Sequence, residues 1–112
     1  MDNQLKKGLL DICVLAVLAR GQSYGYKIVQ DLTGVLNLSD TALYPVLKRL
    51  ESNNAIRSFS QEYNGRIRKY YTITQTGKSQ LQNHIEELNK LQQVCDFIKN
   101  QYEAVQDNVY KC

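Results

Sequence analysis

Residue types that define several common protein classes are scarce in this sequence. Its 112 residues include three cysteines, one histidine and one proline. The cysteines, Cys13, Cys95 and Cys112, are odd in number and show no Cys-x-x-Cys spacing, which argues against a disulfide framework or a zinc site. Cys13 and Cys95 lie in apolar patterns that are typical of reduced core thiols. We therefore expect a cytoplasmic protein.

Long apolar runs and catalytic groupings are also missing. The longest apolar run, residues 12–19, is too short to span a bilayer, and the N-terminus carries no secretory signal. A single histidine, without a Ser/His/Asp grouping or a phosphate-binding loop, leaves nothing from which to build an enzyme active site. We expect no enzymatic activity, no cofactor, no metal and no membrane association.

Charge is modest overall but unevenly distributed. The net charge is +3. Residues 1–77 contain ten Lys and Arg against six Asp and Glu, whereas residues 78–112 contain four against five. A basic N-terminal part and a nearly neutral C-terminal part indicate that the N-terminal part binds a polyanion.

The stretch Ser39–Leu50 has the most distinctive pattern in the chain. Leucines spaced at i, i+4 and i+7 form one face of a predicted helix, with Ser39 as its N-cap and Asp40 at the positive end of the helix dipole. The opposite face carries hydroxyl, aromatic and cationic groups, which suit base edges and phosphates in a DNA major groove. Its members are Ser39, Thr41, Tyr44, Pro45 and Lys48. The alternative is an ordinary surface helix whose Tyr44 packs on a neighbour.

Two further helices are predicted before this stretch. Residues 4–19 form the first, and from Leu9 onward only Asp11 interrupts its apolar residues, so one side is expected to meet the domain and the other a second subunit. A second helix is predicted to start near Ser23 and to end at Gly34, with Tyr24, Ile28 and Leu32 on one face. A short turn then leads to Ser39, which is the spacing of a helix-turn-helix.

The segment after the predicted helix at Ser39–Leu50 has the pattern of a β-hairpin. Asn64-Gly65 separates two strands, residues 56–63 and 66–73. A two-residue turn there would pair Tyr63 with Arg66, Gln61 with Arg68, Phe59 with Tyr70 and Arg57 with Thr72. The cations Arg66, Arg68 and Lys69 near the tip suit a wing on a phosphate backbone or in a minor groove. The alternative is an ordinary solvated hairpin tip.

The rest of the chain predicts one long helix capped by Thr74. Its apolar residues repeat every seven positions, which is the pattern of a helix that pairs with another chain. The two series are Leu81, Leu88, Cys95, Tyr102 and Val109, and His84, Leu91, Ile98, Val105 and Cys112. His84 is interpreted as an interface histidine, because no second metal ligand lies near it in the pattern.

These stretches together resemble a small PadR-type transcription regulator. The matching segments are LKKGLLDICVLAVLARG, SYGYKI, LSDTALYPVLKRLE and GRIRKYYTITQTG, which cover residues 5 to about 80. The resemblance implies a mainly α fold with a β-hairpin: a winged helix-turn-helix DNA-binding domain, residues 1–77, followed by a long C-terminal dimerisation helix, residues 78–112. It also implies a homodimer on double-stranded DNA, commonly a repressor released by a small-molecule effector.

The resemblance assigns roles to particular residues. Those expected to face the operator are Ser39, Thr41, Tyr44, Pro45 and Lys48, with Arg66, Arg68 and Lys69 as wing contacts. The apolar patterns supply the expected dimer interface, which consists of Leu9, Ile12, Leu81, Leu88, Leu91, Cys95, Ile98 and Tyr102. Some family members stack flat ligands on a tryptophan of the last helix, but this sequence has no tryptophan and has Leu88 near that position.

Two classes of function therefore stand beside each other. The first is a sequence-specific transcriptional regulator that acts as a homodimeric repressor on an inverted-repeat operator. The second is a winged-helix module for protein–protein assembly without DNA binding. Binding to genomic fragments across salt concentrations separates them, because a DNA-binding protein loses affinity steeply as salt rises.

Overall fold

A computed structural model describes the backbone of residues 3–111 and the side chains of residues 7–39 and 41–106. The elements are α1 (Asn3–Ala19), β1 (Ser23–Tyr24), α2 (Gly25–Leu32), α3 (Asp40–Ser52), β2 (Ile56–Tyr63), β3 (Arg66–Ile73) and α4 (Gln75–Lys111). The strands form an antiparallel sheet in the order β1-β3-β2. The side chains of Asp40, Val109 and Cys112, to which the sequence assigned roles, lie outside the described residues.

The chain divides into two compact units, Met1–Leu81 and Gln82–Cys112. The first unit contains α1–α3, the sheet and the start of α4, and the second contains the rest of α4. A helix-turn-helix followed by a β-hairpin and a long C-terminal helix is the predicted winged helix-turn-helix fold, which is thereby confirmed.

The core of the first unit forms where one face of each helix meets the sheet. Helix α1 contributes Leu10, Val14, Leu15 and Leu18, which recur at helical spacing and are buried. The other members of the core are Ile28, Leu32, Leu36, Leu43, Val46, Leu47, Leu50, Ala55, Ile56 and Tyr71. The core therefore supports α3 from behind and leaves its outer face free.

The second helix starts at Gly25, close to the predicted start near Ser23, but the prediction that Tyr24 lies on its face is wrong. Ser23 and Tyr24 pair with Tyr71 and Tyr70 of β3, and α2 runs only from Gly25 to Leu32. Tyr24 consequently belongs to the sheet and not to the helix face of Ile28 and Leu32. A strand of two residues has no alternating pattern of its own, and its partner lies more than 40 residues further along the chain.

The hairpin follows the predicted register throughout. The observed pairs include Tyr63 with Arg66 and, further down, Gln61–Arg68, Phe59–Tyr70 and Arg57–Thr72. Asn64 and Gly65 both have positive φ, 51° and 79°, which is the backbone of a two-residue hairpin turn. Ile67 lies near the tip on the other face and is 82% exposed, so only the base of that face is buried.

Thr74 caps helix α4 as predicted, and the first turn of the helix packs closely on the sheet. The N–H of Gly77 donates to Oγ1 of Thr74 at 3.0 Å, while that hydroxyl donates to the carbonyl of Asn54 at 2.6 Å. Gly77 is buried, and a Cβ there would lie 2.1 Å from the carbonyl oxygen of Ala55 and 2.8 Å from Cγ1 of Ile73. Position 77 therefore requires glycine, because α4 lies too close to Ala55 and Ile73 there to leave room for a Cβ atom.

Gly77→Ala is expected to destabilise the protein, because the added methyl group forces backbone and not a flexible side chain to move. Overpacking of this kind lowers the free energy of unfolding by about 1–3 kcal/mol. Urea denaturation followed by circular dichroism measures the loss. Gly34→Ala is the control, since a Cβ at Gly34 meets nothing within 4 Å. Equal stability of Gly77→Ala and wild type would contradict the packing described here.

Candidate nucleic-acid interface

Helix α3 is positioned by a cap at its start and by its buried leucines. The N–H of Ala42 donates to Oγ of Ser39 at 3.2 Å, which satisfies one of the free donors of the first turn. Oγ of Ser39 also lies 3.0 Å from Oγ1 of Thr41. The predicted N-cap is confirmed, and the Ser39 hydroxyl is held at the helix start.

The predicted division of α3 into two faces is also confirmed. Leu43, Leu47 and Leu50 are buried, together with Val46. The outer face consists of Thr41, Tyr44, Pro45 and Lys48, all of which are exposed. Tyr44 is 62% exposed, so it does not pack under a neighbouring element of the described chain. This face is available to a ligand.

Pro45 lies within α3 without ending it. Proline has no N–H, so the bond from position 45 to the carbonyl of Thr41 is absent. The helix nevertheless continues to Ser52. Pro45 also lines a cavity of about 440 Å³ between α3, α1 and the preceding loop, with Leu10, Leu38 and Val46 among its other walls.

Arg49 has a structural partner that its position on α3 did not reveal. Its guanidinium donates to both carboxylate oxygens of Asp11 on α1, from Nε at 3.1 Å and from Nη2 at 2.5 Å. The hydrogen bond to Asp11 raises the pKa of Arg49 above its ordinary value. Arg49 follows Lys48 directly in the sequence, but Arg49 ties α3 to α1, whereas Lys48 is the outward cation.

The hairpin brings one of its cations to the outer face of α3. Lys69 lines the same cavity of about 180 Å³ as Tyr44, Lys48 and Glu51. Nζ of Lys69 lies 5.6 Å from the ring centroid of Tyr71, whose pKa is raised by burial. Two cations and an exposed phenol from separate elements thus share one surface.

Tyr26 of α2 extends this surface and was missed by the sequence analysis. It is exposed and lines a neighbouring cavity of about 330 Å³ with Tyr44 and Lys69. The only sequence signal was a large aromatic residue outside the buried face of α2. That signal identifies a site residue only once the positions of α3 and β3 next to Tyr26 are known.

The other two wing cations lie on the opposite face of the hairpin from Lys69, because side chains alternate along β3. Arg66 is exposed beside the turn. Arg68 is half-buried, with Cζ 4.0 Å from the ring centroid of Tyr24 and 4.4 Å from that of Tyr63. The three cations therefore form two groups.

The residues expected at a dimer interface differ in their surroundings. In the first unit Leu9 and Ile12 are half-buried on α1, and Leu81 packs, half-buried, against the core of its own chain. In the second unit Leu88 and Cys95 are partly exposed, while Leu91, Ile98 and Tyr102 are 51%, 59% and 64% exposed. Val94, Phe97 and Val105 of α4 are exposed as well. An apolar seam of this extent is unusual for a protein surface.

The described residues contain little that suggests other chemistry. Nδ1 of His84 lies 4.0 Å from a carboxylate oxygen of Glu87. Within residues 7–39 and 41–106, no three His, Cys, Asp or Glu side chains come together as metal ligands. Over the described part of the chain, no helix is both long and apolar enough to cross a membrane. Burial raises the pKa of Cys13, which favours its thiol form.

Comparison with known proteins places this winged helix-turn-helix in a family. The model of the transcriptional regulator PadR-like family matches residues 14–83. The chain belongs to this family, which consists of transcriptional regulators and not of enzymes, as the sequence analysis expected.

Solved structures give the same result. A PadR family transcription regulator from Clostridium difficile is 32% identical, with a TM-score of 0.72 over 76% of this chain and 92% of that one. A PadR-like transcriptional regulator from Bacillus cereus is 27% identical, with a TM-score of 0.77 over 86% and 96%. Bacillus subtilis PadR in complex with operator DNA is 25% identical, with a TM-score of 0.62 over 68% of this chain and 46% of that one.

Proposed function

We propose that this transcriptional regulator is a sequence-specific DNA-binding repressor that acts as a homodimer on an inverted-repeat operator. The observation that carries the proposal is the exposed face of α3 with Tyr44 and Lys48, joined by Lys69 from the hairpin. Cations and hydroxyl groups on the exposed face of a helix can bind phosphates and the edges of bases. The similarity to a PadR structure in complex with operator DNA also supports DNA binding by this protein.

The roles within this interface follow from position. Ser39, Thr41, Tyr44, Pro45 and Lys48 of α3 face the operator in the major groove. Lys69 extends that surface, and Arg66 and Arg68 of the wing hold the adjacent backbone or minor groove. Residues 1–77 form the DNA-binding domain in this proposal.

Residues 78–112 form the dimerisation helix. A second copy covers the seam of α4, namely Leu88, Leu91, Cys95, Ile98 and Tyr102, with Leu81 at its edge. Leu9 and Ile12 of α1 belong to the same interface. A two-fold dimer presents two α3 helices roughly 34–36 Å apart, which matches successive major grooves on one side of the duplex.

The proposal also includes the location of the protein in the cell and its release from DNA. The protein works in the cytoplasm, where its cysteines stay reduced. A small-molecule effector releases it from DNA, and no ligand chemistry is assigned to that effector. The alternative function, protein–protein assembly without DNA, gains support only if no DNA binding is found.

The deciding experiment is a titration of labelled DNA from the region upstream of the protein's own gene. Fluorescence anisotropy at several salt concentrations gives the affinity and the salt dependence, and footprinting locates the operator. We expect a protected inverted repeat and an affinity that falls steeply with salt. Absence of binding at low salt to this region and to genomic fragments would instead favour the assembly module.

Arg66→Ala tests the wing. Loss of one phosphate contact is expected to weaken binding to all sequences nearly equally, and to make the log–log salt slope shallower by about 0.9. Lys90→Ala on α4 removes the same charge away from the proposed contacts and serves as the control. An unchanged slope and affinity for Arg66→Ala would remove Arg66 from the interface.

A further inference from the structure

The outer face of the sheet holds one arginine between two tyrosines from different strands. Strand β3 is central, with β1 on one side and β2 on the other. Tyr24 pairs with Tyr70 and Tyr63 pairs with Arg66, so both tyrosines lie diagonal to Arg68 on the same face. Diagonal neighbours in a sheet are about 7–8 Å apart, which aromatic and long side chains span.

The contacts are close enough for cation–π attraction. Cζ of Arg68 lies 4.0 Å from the ring centroid of Tyr24 and 4.4 Å from that of Tyr63. Both distances are within the range of about 6 Å over which a ring attracts a cation. A planar guanidinium stacks on aromatic faces in a way that the ammonium group of lysine does not. We call Tyr24, Arg68 and Tyr63 the aromatic clamp.

The clamp is itself supported by other rings. Tyr24 meets Tyr70 edge to face at 5.6 Å between centroids, and Tyr70 stacks on Phe59 at 5.7 Å. Tyr24 also precedes α2, the first helix of the helix-turn-helix. The clamp therefore connects the wing to the body of the domain through β1.

The N–H groups of Arg68 are available for further hydrogen bonds. Among the side chains that the structure describes, none forms a hydrogen bond or ion pair with Arg68. Cζ of Arg68 lies over both rings, and no described group accepts a hydrogen bond from the guanidinium, so its N–H donors stay available to an acceptor. A guanidinium held in this way is suited to a phosphate group, two oxygens of which accept parallel N–H···O hydrogen bonds from arginine.

We propose that Tyr24 and Tyr63 are positioning residues for DNA binding, which hold Arg68 of the wing ready to bind a backbone phosphate. An unrestrained arginine loses side-chain freedom when it binds, and the clamp has already removed much of that freedom. This inference rests on the proposed function, because it needs the wing to contact DNA.

Tyr63→Leu is the first test, measured by anisotropy on the footprinted operator. Tyr63 is exposed near the hairpin tip, so the variant is expected to keep the wild-type thermal midpoint. Loss of one cation–π contact is expected to weaken operator binding about fivefold. Tyr63→Phe keeps the ring and is expected to bind within about twofold of wild type. Tyr63→Phe is therefore the matched control, because it changes the same position and leaves a ring beside Arg68.

The same change in an Arg68→Ala background separates positioning from a merely structural effect. Without Arg68 there is nothing to hold, so Tyr63→Leu should then weaken binding no further. Tyr24→Leu should behave in the same way. Full additivity of Tyr63→Leu and Arg68→Ala, or wild-type binding by Tyr63→Leu, would overturn the inference and leave the proposed function standing.

Nuclear magnetic resonance of the free protein tests the clamp without DNA. Ring currents should move the side-chain proton resonances of Arg68 upfield, and Tyr24→Leu or Tyr63→Leu should return them toward ordinary positions. Unshifted wild-type resonances would overturn the clamp itself. A wild-type protein that binds no DNA would overturn both the proposed function and the positioning role, even where the ring-current shifts are present.

Discussion

A variant that carries Leu88→Lys and Leu91→Lys together is expected to be a monomer with weak operator binding. In the proposed dimer these leucines lie on the seam of α4, and a second copy buries them. Full burial of a leucine side chain stabilises by roughly 1.5–3 kcal/mol, so loss of four across two subunits removes on the order of 6 kcal/mol or more. Lysines at those positions also bring like charges together.

Analytical ultracentrifugation of wild type and variant measures the change, and operator titration follows on the same samples. Asn89→Lys with Gln93→Lys is the matched control, since it adds the same charge at exposed positions outside the seam. The control should remain dimeric and bind the operator. A monomeric wild type would contradict the interpretation of α4, as would a monomeric variant with full operator affinity.

Several elements could be predicted because their signals are local. Asn64-Gly65 adopts the positive φ angles of a hairpin turn, and the turn then sets the pairing of both strands. Ser39 and Thr74 cap their helices through bonds to residues only three positions away. Local chemistry was sufficient to predict these features, because the residues that form each one lie close together in the sequence.

Features that depend on distant contacts were missed. Strand β1 forms because its backbone pairs with the free edge of β3. The two residues Ser23 and Tyr24 give no strand signal of their own. The pair of Arg49 with Asp11 joins residues 38 positions apart. The clamp on Arg68 needs both β1 and the hairpin, so it could not be found before β1 was known. Propensity and periodicity carry no information about such partners.

The seam of α4 shows where a sound pattern needs structural context. The seven-residue repeat treats Leu81 and Leu88 as equivalent. Leu81, however, packs against the core of the first unit, whereas Leu91 and Ile98 of the second unit are exposed. The period identifies an apolar face but not what covers it, because the same spacing serves a domain core and a partner helix.

Alanine substitutions at Thr41, Tyr44 and Lys48 test whether the outer face of α3 reads DNA. Each of these side chains is exposed, so its removal leaves the core intact and acts on binding. A residue that contacts a base edge should lose about 1–3 kcal/mol of discrimination at one operator position when truncated. A residue that contacts phosphate should instead weaken all sequences alike and reduce the salt slope. The triple variant is expected to lose specific binding.

A panel of operators with single base-pair changes, titrated against each variant, separates these outcomes. Tyr44→Phe distinguishes the ring from the hydroxyl: retained affinity assigns the contact to the ring, and lost discrimination assigns it to the hydroxyl. Ser52→Ala is the control, because Ser52 is exposed at the end of α3 and its hydroxyl donates to the carbonyl of Lys48. Full affinity and full discrimination in all three alanine variants would show that DNA is read by another surface, since α3 would then contribute nothing to either property.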